Sequence, residues 1–178
     1  MNHKFPIGIS LFEAKGDHYK NLFELIIRNV QWDFRIKSRL TASYGTPYNY
    51  SDISYPFVEV PLFIDLIFKD LTSMLGYNPN NCLINYYNHG NSSMGFHSDR
   101  TDVLEPATGI TILSLGNERI MRFKHKTTKK TFDVAMEPNR FLHMTSKIQD
   151  EWLHAILPSN PLSNESERIS LTFRKLIA

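Results

Sequence analysis

The sequence predicts a mainly β fold with N-terminal helices, and two observations carry that reading. Before Gly76 apolar residues recur at helical spacing; after it they fall into seven short runs separated by turn residues. With 178 residues, 42% of them apolar, the chain is long enough for one domain around a substantial core, helical over about 1–76 and β over about 77–178. No internal repeat points to a solenoid or propeller.

The elements follow in order. From His18 to Asn29, Tyr19, Leu22, Phe23, Leu25 and Ile26 keep helical spacing behind Asp17, an N-cap candidate. Arg35 to Tyr55 is basic at first and then rich in tyrosine, with a turn at Gly45-Thr46-Pro47, so it is expected to be extended surface structure. Pro61 to Leu75 predicts a second helix: proline at its start, Leu62, Phe63, Leu66, Ile67 and Leu71 on one side, and Gly76 as the stop. The strands are expected at Cys82 to Asn88, Gly109 to Leu115, Arg119 to His125, Lys130 to Ala135, Arg140 to Met144, Trp152 to Leu157 and Arg168 to Leu176. Seven strands so closely spaced suit a sandwich or barrel. Lys124 to Thr131 reads as a basic hairpin tip, and Pro158 to Glu167 as a polar loop.

Charge and cysteine usage exclude several classes. A formal charge of +2 is too mild for a polycation, so any nucleic acid must bind at a local patch. Pro6, Gly8, Ser10 and Glu13 interrupt what a signal peptide would need as an apolar run, and no stretch is long enough to span a membrane. The single cysteine, Cys82, allows no internal disulfide and suits a reducing compartment. A soluble cytoplasmic or nucleoid/nuclear monomer is expected.

Two clusters could carry chemistry. His97 and Asp99, two apart in an extended segment, present ligand-type side chains to one side. A third ligand could be His154 or His143, each in a predicted strand, and spacing does not separate them. Two His and one Asp leave three positions of an octahedral ion open, the pattern expected of non-haem Fe(II) oxygenases. On the last strand Arg168, Ser170, Thr172 and Arg174 share a face. Should that face line a cavity, the two guanidiniums would take a small dicarboxylate by bidentate pairing.

The ordered motifs Arg39-Leu40-Thr41-Ala42-x-Tyr44-Gly45, Tyr48-x-Tyr50-Ser51, Asn85-Tyr86-Tyr87, His97-x-Asp99, Ser114-Leu115-Gly116, Trp152-x-His154 and Arg168-x-Ser170-Leu171-Thr172-Phe173-Arg174 resemble the AlkB family of Fe(II)- and 2-oxoglutarate-dependent dioxygenases. The resemblance implies a double-stranded β-helix, or jelly roll, behind the helices. It selects His154 over His143 and implies that His97, Asp99 and His154 hold Fe(II), with O2 as the oxidant. By the same resemblance Arg168 pairs with the distal carboxylate of 2-oxoglutarate, assisted by Tyr87 and by Ser170, which stands where the family usually has Asn. Arg174 and Asn85 would lie nearer the chelating end.

Substrate expectations also follow from the resemblance. Tyr48 and Tyr50 would belong to a lid over the damaged base. Thr101 occupies a position that is commonly acidic in DNA-repair members. The segment Val30 to Ser38 is too short for the finger of duplex-acting members, which leaves Trp32 and Phe34 as core residues. Lys124 and Lys126, in the basic run Arg122 to Lys130, would approach the phosphate backbone with Arg35, Lys37 and Arg39. The implied activity is oxidative demethylation of N-alkylated bases of the 1-methyladenine/3-methylcytosine type, in single-stranded DNA or RNA, with release of formaldehyde, succinate and CO2. The alternative is the same oxygenase chemistry on a protein, lipid or small molecule.

Overall fold

The computed structural model describes residues 5–49, 53–159 and 167–177. Its elements are β1 (Ile9–Glu13), α1 (Leu22–Asn29), β2 (Leu40–Gly45), α2 (Leu62–Leu75), β3 (Asn81–Tyr87), β4 (Met94–His97), β5 (Gly109–Gly116), β6 (Arg119–His125), β7 (Thr131–Met136), β8 (Arg140–Thr145), α3 (Ser146–Glu151), β9 (Trp152–Ile156) and β10 (Arg168–Arg174). Antiparallel pairing arranges six strands in the order β1-β8-β5-β10-β3-β2 and four in the order β4-β9-β6-β7. The two sheets form the jelly roll.

Alternation along the central strands explains the layers. On β3 and β10 the residues Cys82, Ile84, Ile169, Leu171 and Phe173 turn toward the helices and pack against Ile26, Ile64, Ile67 and Leu71. Their neighbours Leu83, Asn85, Tyr87, Arg168, Ser170, Thr172 and Arg174 turn the other way and line a cavity between the sheets. A second apolar cluster, including Ile110, Ile112, Met121, Phe123 and Ile156, closes the space around them. The helices therefore seal one face of the large sheet, and the small sheet makes the other face an interior.

Helix α2 forms as its sequence predicts. It buries Ile64, Ile67, Phe68 and Leu71, and Gly76 ends it at φ 77, donating its N–H to Thr72 O. The first helix differs from expectation. A 3₁₀ turn occupies Asp17–Tyr19, Asn21 adopts a left-handed φ of 58, and α1 starts only at Leu22. The side chains of His18 and Tyr19 each bond to Asp70 Oδ2 of α2 at 2.7 Å, so tertiary contacts hold this turn in place of a longer helix.

The segment from Arg35 to Tyr55 is surface structure only in part: Arg35, Lys37, Ser38, Pro47 and Asn49 are exposed, and residues 50–52 lie outside the described residues. Its residues 40–45 are the edge strand β2, paired with β3, and Tyr48 and Tyr55 are buried. Gly45, at φ 77, lies so near the Asn80 carbonyl that a Cβ would overlap it. Trp32 does pack inward, its ring centroid 5.1 Å from that of Tyr86, but Phe34 is 71% exposed and is not core. Strands β1 and β4 and helix α3 lack a strong local pattern and are legible only in the structure.

Candidate metal and cosubstrate site

Strand pairing assembles the first cluster. β4 and β9 run antiparallel with His97 opposite His154, which brings their ring centroids to 4.3 Å. β4 ends at His97, and the chain then places Asp99 beside the pair. One ligand atom from each of His97, Asp99 and His154 lies within 4.8 Å of the others. His143 is elsewhere, on β8, with Nδ1 2.9 Å from Thr111 Oγ1.

The surroundings set the charge states. His97 Nδ1–H donates to Gly95 O at 2.9 Å, which fixes the orientation of the ring. Burial drives the pKa of His154 down to about 3, helped by His97 and opposed by Asp99, so its imidazole is neutral near pH 7. Burial by itself would raise Asp99, but Arg174 and the two imidazoles outweigh it and hold the carboxyl at about 2. Two imidazoles and a carboxylate suit a divalent transition metal with open coordination positions. His154 Nδ1 is buried without a hydrogen-bond partner among the described residues, a cost that an additional partner would relieve.

The second cluster lies on the facing strands. Register pairs Arg168 with Tyr87 and Ser170 with Asn85, and these four line the cavity with Thr172, Arg174, His97, Asp99 and His154. Arg168 is 0% exposed; its Nε donates to Ser114 Oγ at 3.0 Å, while Nη1 and Nη2 have no partner among the described residues. Burial lowers its pKa to about 10, so it stays cationic at neutral pH. Arg174 Nη2 donates to Asp99 Oδ1 at 2.7 Å, and its Nε and Nη1 are likewise unpartnered. Burial works against the charge of Arg174, but Asp99 and Tyr48 raise its pKa above the ordinary value. Unpaired donors on two buried guanidiniums, next to a metal triad, fit a dicarboxylate that chelates the metal.

The remaining predicted residues divide. Tyr48 is buried, its ring centroid 4.0 Å from the Arg174 guanidinium carbon, so it packs over the Arg174 end of the cavity. Tyr50 lies outside the described residues. Thr101 is in the turn after Asp99, where its carbonyl accepts from Leu104 N–H, and it does not line the cavity. Lys124 Nζ sits 5.4 Å from the ring centroid of the exposed Phe96, while Lys126 Nζ donates to Gln149 O at 2.7 Å.

Sequence reasoning missed Gln149 and did not find the work of two others. Gln149 Oε1 accepts the Asp99 backbone N–H at 2.8 Å and fixes the turn that presents the carboxylate. Ser114, marked only as part of a motif, holds Arg168, and Arg39, expected at the phosphate backbone, is buried with its Nε donating to Asn85 Oδ1 at 2.8 Å. Each acts across strands or helices, so no local pattern marks its partner.

The model of the 2OG-Fe(II) oxygenase superfamily matches residues 13–174. The chain belongs to that superfamily. Membership implies an Fe(II)- and 2-oxoglutarate-dependent dioxygenase, with Fe(II), 2-oxoglutarate and O2 as its cofactors. Over 97 residues it is 35% identical to the RNA replication polyprotein of Citrus leaf blotch virus, a match covering 53% of this chain and 4% of the polyprotein. Over 113 residues it is 26% identical to the uncharacterized protein R406 of Acanthamoeba polyphaga mimivirus, covering 64% and 58% of the two chains. The chain thus spans less than two thirds of either relative. The solved structure of OsALKBH1 shares the fold, with a TM-score of 0.70 over 97% of this chain and 100% of that one, at 17% identity.

Proposed function

We propose that this oxygenase is an oxidative demethylase of N-alkylated bases in single-stranded nucleic acid, of the 1-methyladenine/3-methylcytosine type. His97, Asp99 and His154 are assigned as the iron ligands, Arg168 as the partner of the distal carboxylate of 2-oxoglutarate with Tyr87 and Ser170 beside it, and Arg174 and Asn85 as the groups at the chelating end. The observation that carries the oxygenase part of this reading is the His97, Asp99 and His154 cluster opening onto guanidinium donors that have no partner among the described residues. His97, Asp99 and His154 would hold iron, which together with 2-oxoglutarate and O2 would supply hydroxylation of an N-methyl group, with succinate, CO2 and, once the hydroxymethyl group is lost, formaldehyde as products.

The chain's own contribution is placement. Gly95 O and Gln149 set the angles of His97 and the Asp99 turn; Arg174 keeps Asp99 ionised; Tyr48 closes the cavity over Arg174. We read residues 1–178 as one oxygenase domain, with about 1–76 supplying the helices and the lid that includes Tyr48 and Tyr50. We also assign it to the cytoplasm or nucleoid/nucleus as a soluble monomer, in keeping with a buried thiol at Cys82 and with no helix long and apolar enough to cross a membrane. Nucleic acid as the substrate is supported by the AlkB-type motifs and by similarity to a polyprotein named for RNA replication.

One observation favours a different substrate. Two lysines of the basic hairpin are already engaged, Lys126 with Gln149 O and Lys129 with Lys126 O, and Thr101 offers no acidic group at the cavity. A protein, lipid or small-molecule substrate is the second reading. Formaldehyde and succinate release across oligonucleotides carrying 1-methyladenine or 3-methylcytosine, in DNA and in RNA, decides between them. Release that follows the methylated base supports demethylation, whereas succinate without formaldehyde on every oligonucleotide moves the assignment to the second reading.

A further inference from the structure

A groove of about 520 Å³ lies at the free edge of the large sheet, apart from the cavity described above. Its walls include Asn29 and Gln31 near the end of α1, Tyr44 of β2, Tyr55, and Phe63 of α2. Among the described residues, the outer edge of β2 is covered at two points. Thr41 exchanges both backbone hydrogen bonds with Asp33, at 2.8 and 3.1 Å, and the Gly45 N–H donates to Val58 O at 2.8 Å. Outward-facing residues alternate along an antiparallel strand. Ser43, midway between the two, therefore turns its N–H and C=O outward too, and it lines the groove with no backbone partner there among the described residues.

The shape of this opening selects its ligand. A peptide strand cannot extend along β2, because the segments at Asp33 and Val58 already occupy the edge on either side. What fits is a flat group that accepts and donates hydrogen bonds along one side and has aromatic faces to stack. A nucleobase has that form: the Ser43 backbone and the Gln31 carboxamide offer donors and acceptors, Asn29, whose Nδ2 donates to Leu25 O, offers its Oδ1, and the half-buried Tyr44 and Phe63 offer rings over a floor that includes the buried Tyr55. Arg35, 5.7 Å from the Tyr55 ring centroid, stands at the rim. The groove also connects with the site. The Tyr55 hydroxyl meets Thr41 Oγ1 at 2.8 Å, and Thr41 is paired in register with Asn85, which lines the metal cavity.

We propose that this groove is a second base-binding subsite, which holds an unmodified base of the same strand whose alkylated base enters the metal cavity. It rests on the demethylase reading above, and the two can fail separately. The test uses the full chain and single-stranded oligonucleotides with one 1-methyladenine and one fluorescent 2-aminopurine at successive distances to either side. Quenching concentrated at one distance is expected, because only one spacing seats the second base against the tyrosines. Asn29→Ala with Gln31→Ala, both at exposed positions, should remove the quenching and weaken binding about three- to tenfold, the loss of one or two hydrogen bonds. Ser43→Pro, which removes the outward N–H and leaves the ladder to β3, should act in the same direction. Equal quenching at every distance, or quenching and affinity unchanged in the Asn29/Gln31 variant, would overturn the subsite even where formaldehyde is released normally. Spacing-dependent quenching with no formaldehyde would instead keep the subsite and reject the demethylase reading.

Discussion

The cavity wall formed by β3 and β10 and the hairpin between β6 and β7 are both rich in cationic side chains, yet they use charge in opposite ways. Arg168 and Arg174 are buried, and each keeps guanidinium nitrogens without a partner among the described residues. On the hairpin, Arg122 is tied to Asp133 at 2.7 Å, and Lys126 and Lys129 donate to backbone carbonyls. An exposed cation is easily satisfied by a neighbour or by water, whereas a buried one with free donors is costly unless a ligand completes it. Unsatisfied buried charge, not charge density, is therefore the feature on which the proposed site for the small anion rests.

The contrast is sharpest at the metal triad that the wall faces. Removing one ligand there is expected to have the largest effect: His97→Ala or Asp99→Ala should abolish 2-oxoglutarate turnover and iron retention, measured by succinate release and metal analysis. His143→Ala should retain iron. Iron loss in that variant, with retention in His154→Ala, would reassign the third ligand.

Next come the arginines themselves. Arg168→Ala or Arg174→Ala should raise the 2-oxoglutarate requirement sharply, since losing one partner of a desolvated charge pair costs about 2–5 kcal/mol. Lysine at 168 should rescue poorly, for it lacks the planar fork that two carboxylate oxygens engage. An unchanged requirement in both variants would dissolve the distinction between wall and hairpin.

Acid should separate the two regions as well. Because the folded pKa of His154 lies near 3, well below its ordinary value of 6.5, the unfolded chain binds the extra proton first. The stability of the metal-free protein should accordingly be full above about 6.5 and fall as pH drops toward 3. Asp99, depressed from 3.8 to about 2, adds a further loss between those values. Denaturant midpoints across this range should flatten in His154→Gln, while Asp133→Asn on the hairpin should leave the His154 window unchanged.

Strand preference is a smaller effect. Without a recognised finger, extrusion of a base from a duplex must cost more than use of an unstacked one, so a single strand should react at least about tenfold more efficiently, a gap of about 1.4 kcal/mol. Matched oligonucleotides measure it. Equal efficiencies would give Phe34, which is exposed, the role of an opening element. The smallest effect belongs to the hairpin: Lys124→Ala should weaken oligonucleotide binding uniformly across sequences and reduce the salt slope by about one.

Much of this site was legible locally. The period-two spacing of His97 with Asp99, and of Arg168, Ser170, Thr172 and Arg174, determines that each set shares a side of its segment, and the motif order identifies the family. The helix over Leu62–Leu75 and seven of the strands are also written in local periodicity. What the sequence did not hold was everything that depends on register. His97 faces His154 because β4 happens to pair with β9, the polar face of β10 is interior because a second sheet covers it, and Tyr48 and Tyr55 are buried because β2 joins β3. Gln149, Ser114 and Arg39 reach their partners across 50, 54 and 46 residues of chain. Periodicity determines which side a residue takes, since that depends only on neighbouring dihedrals; which side becomes interior depends on what packs there, and only the tertiary structure decides it.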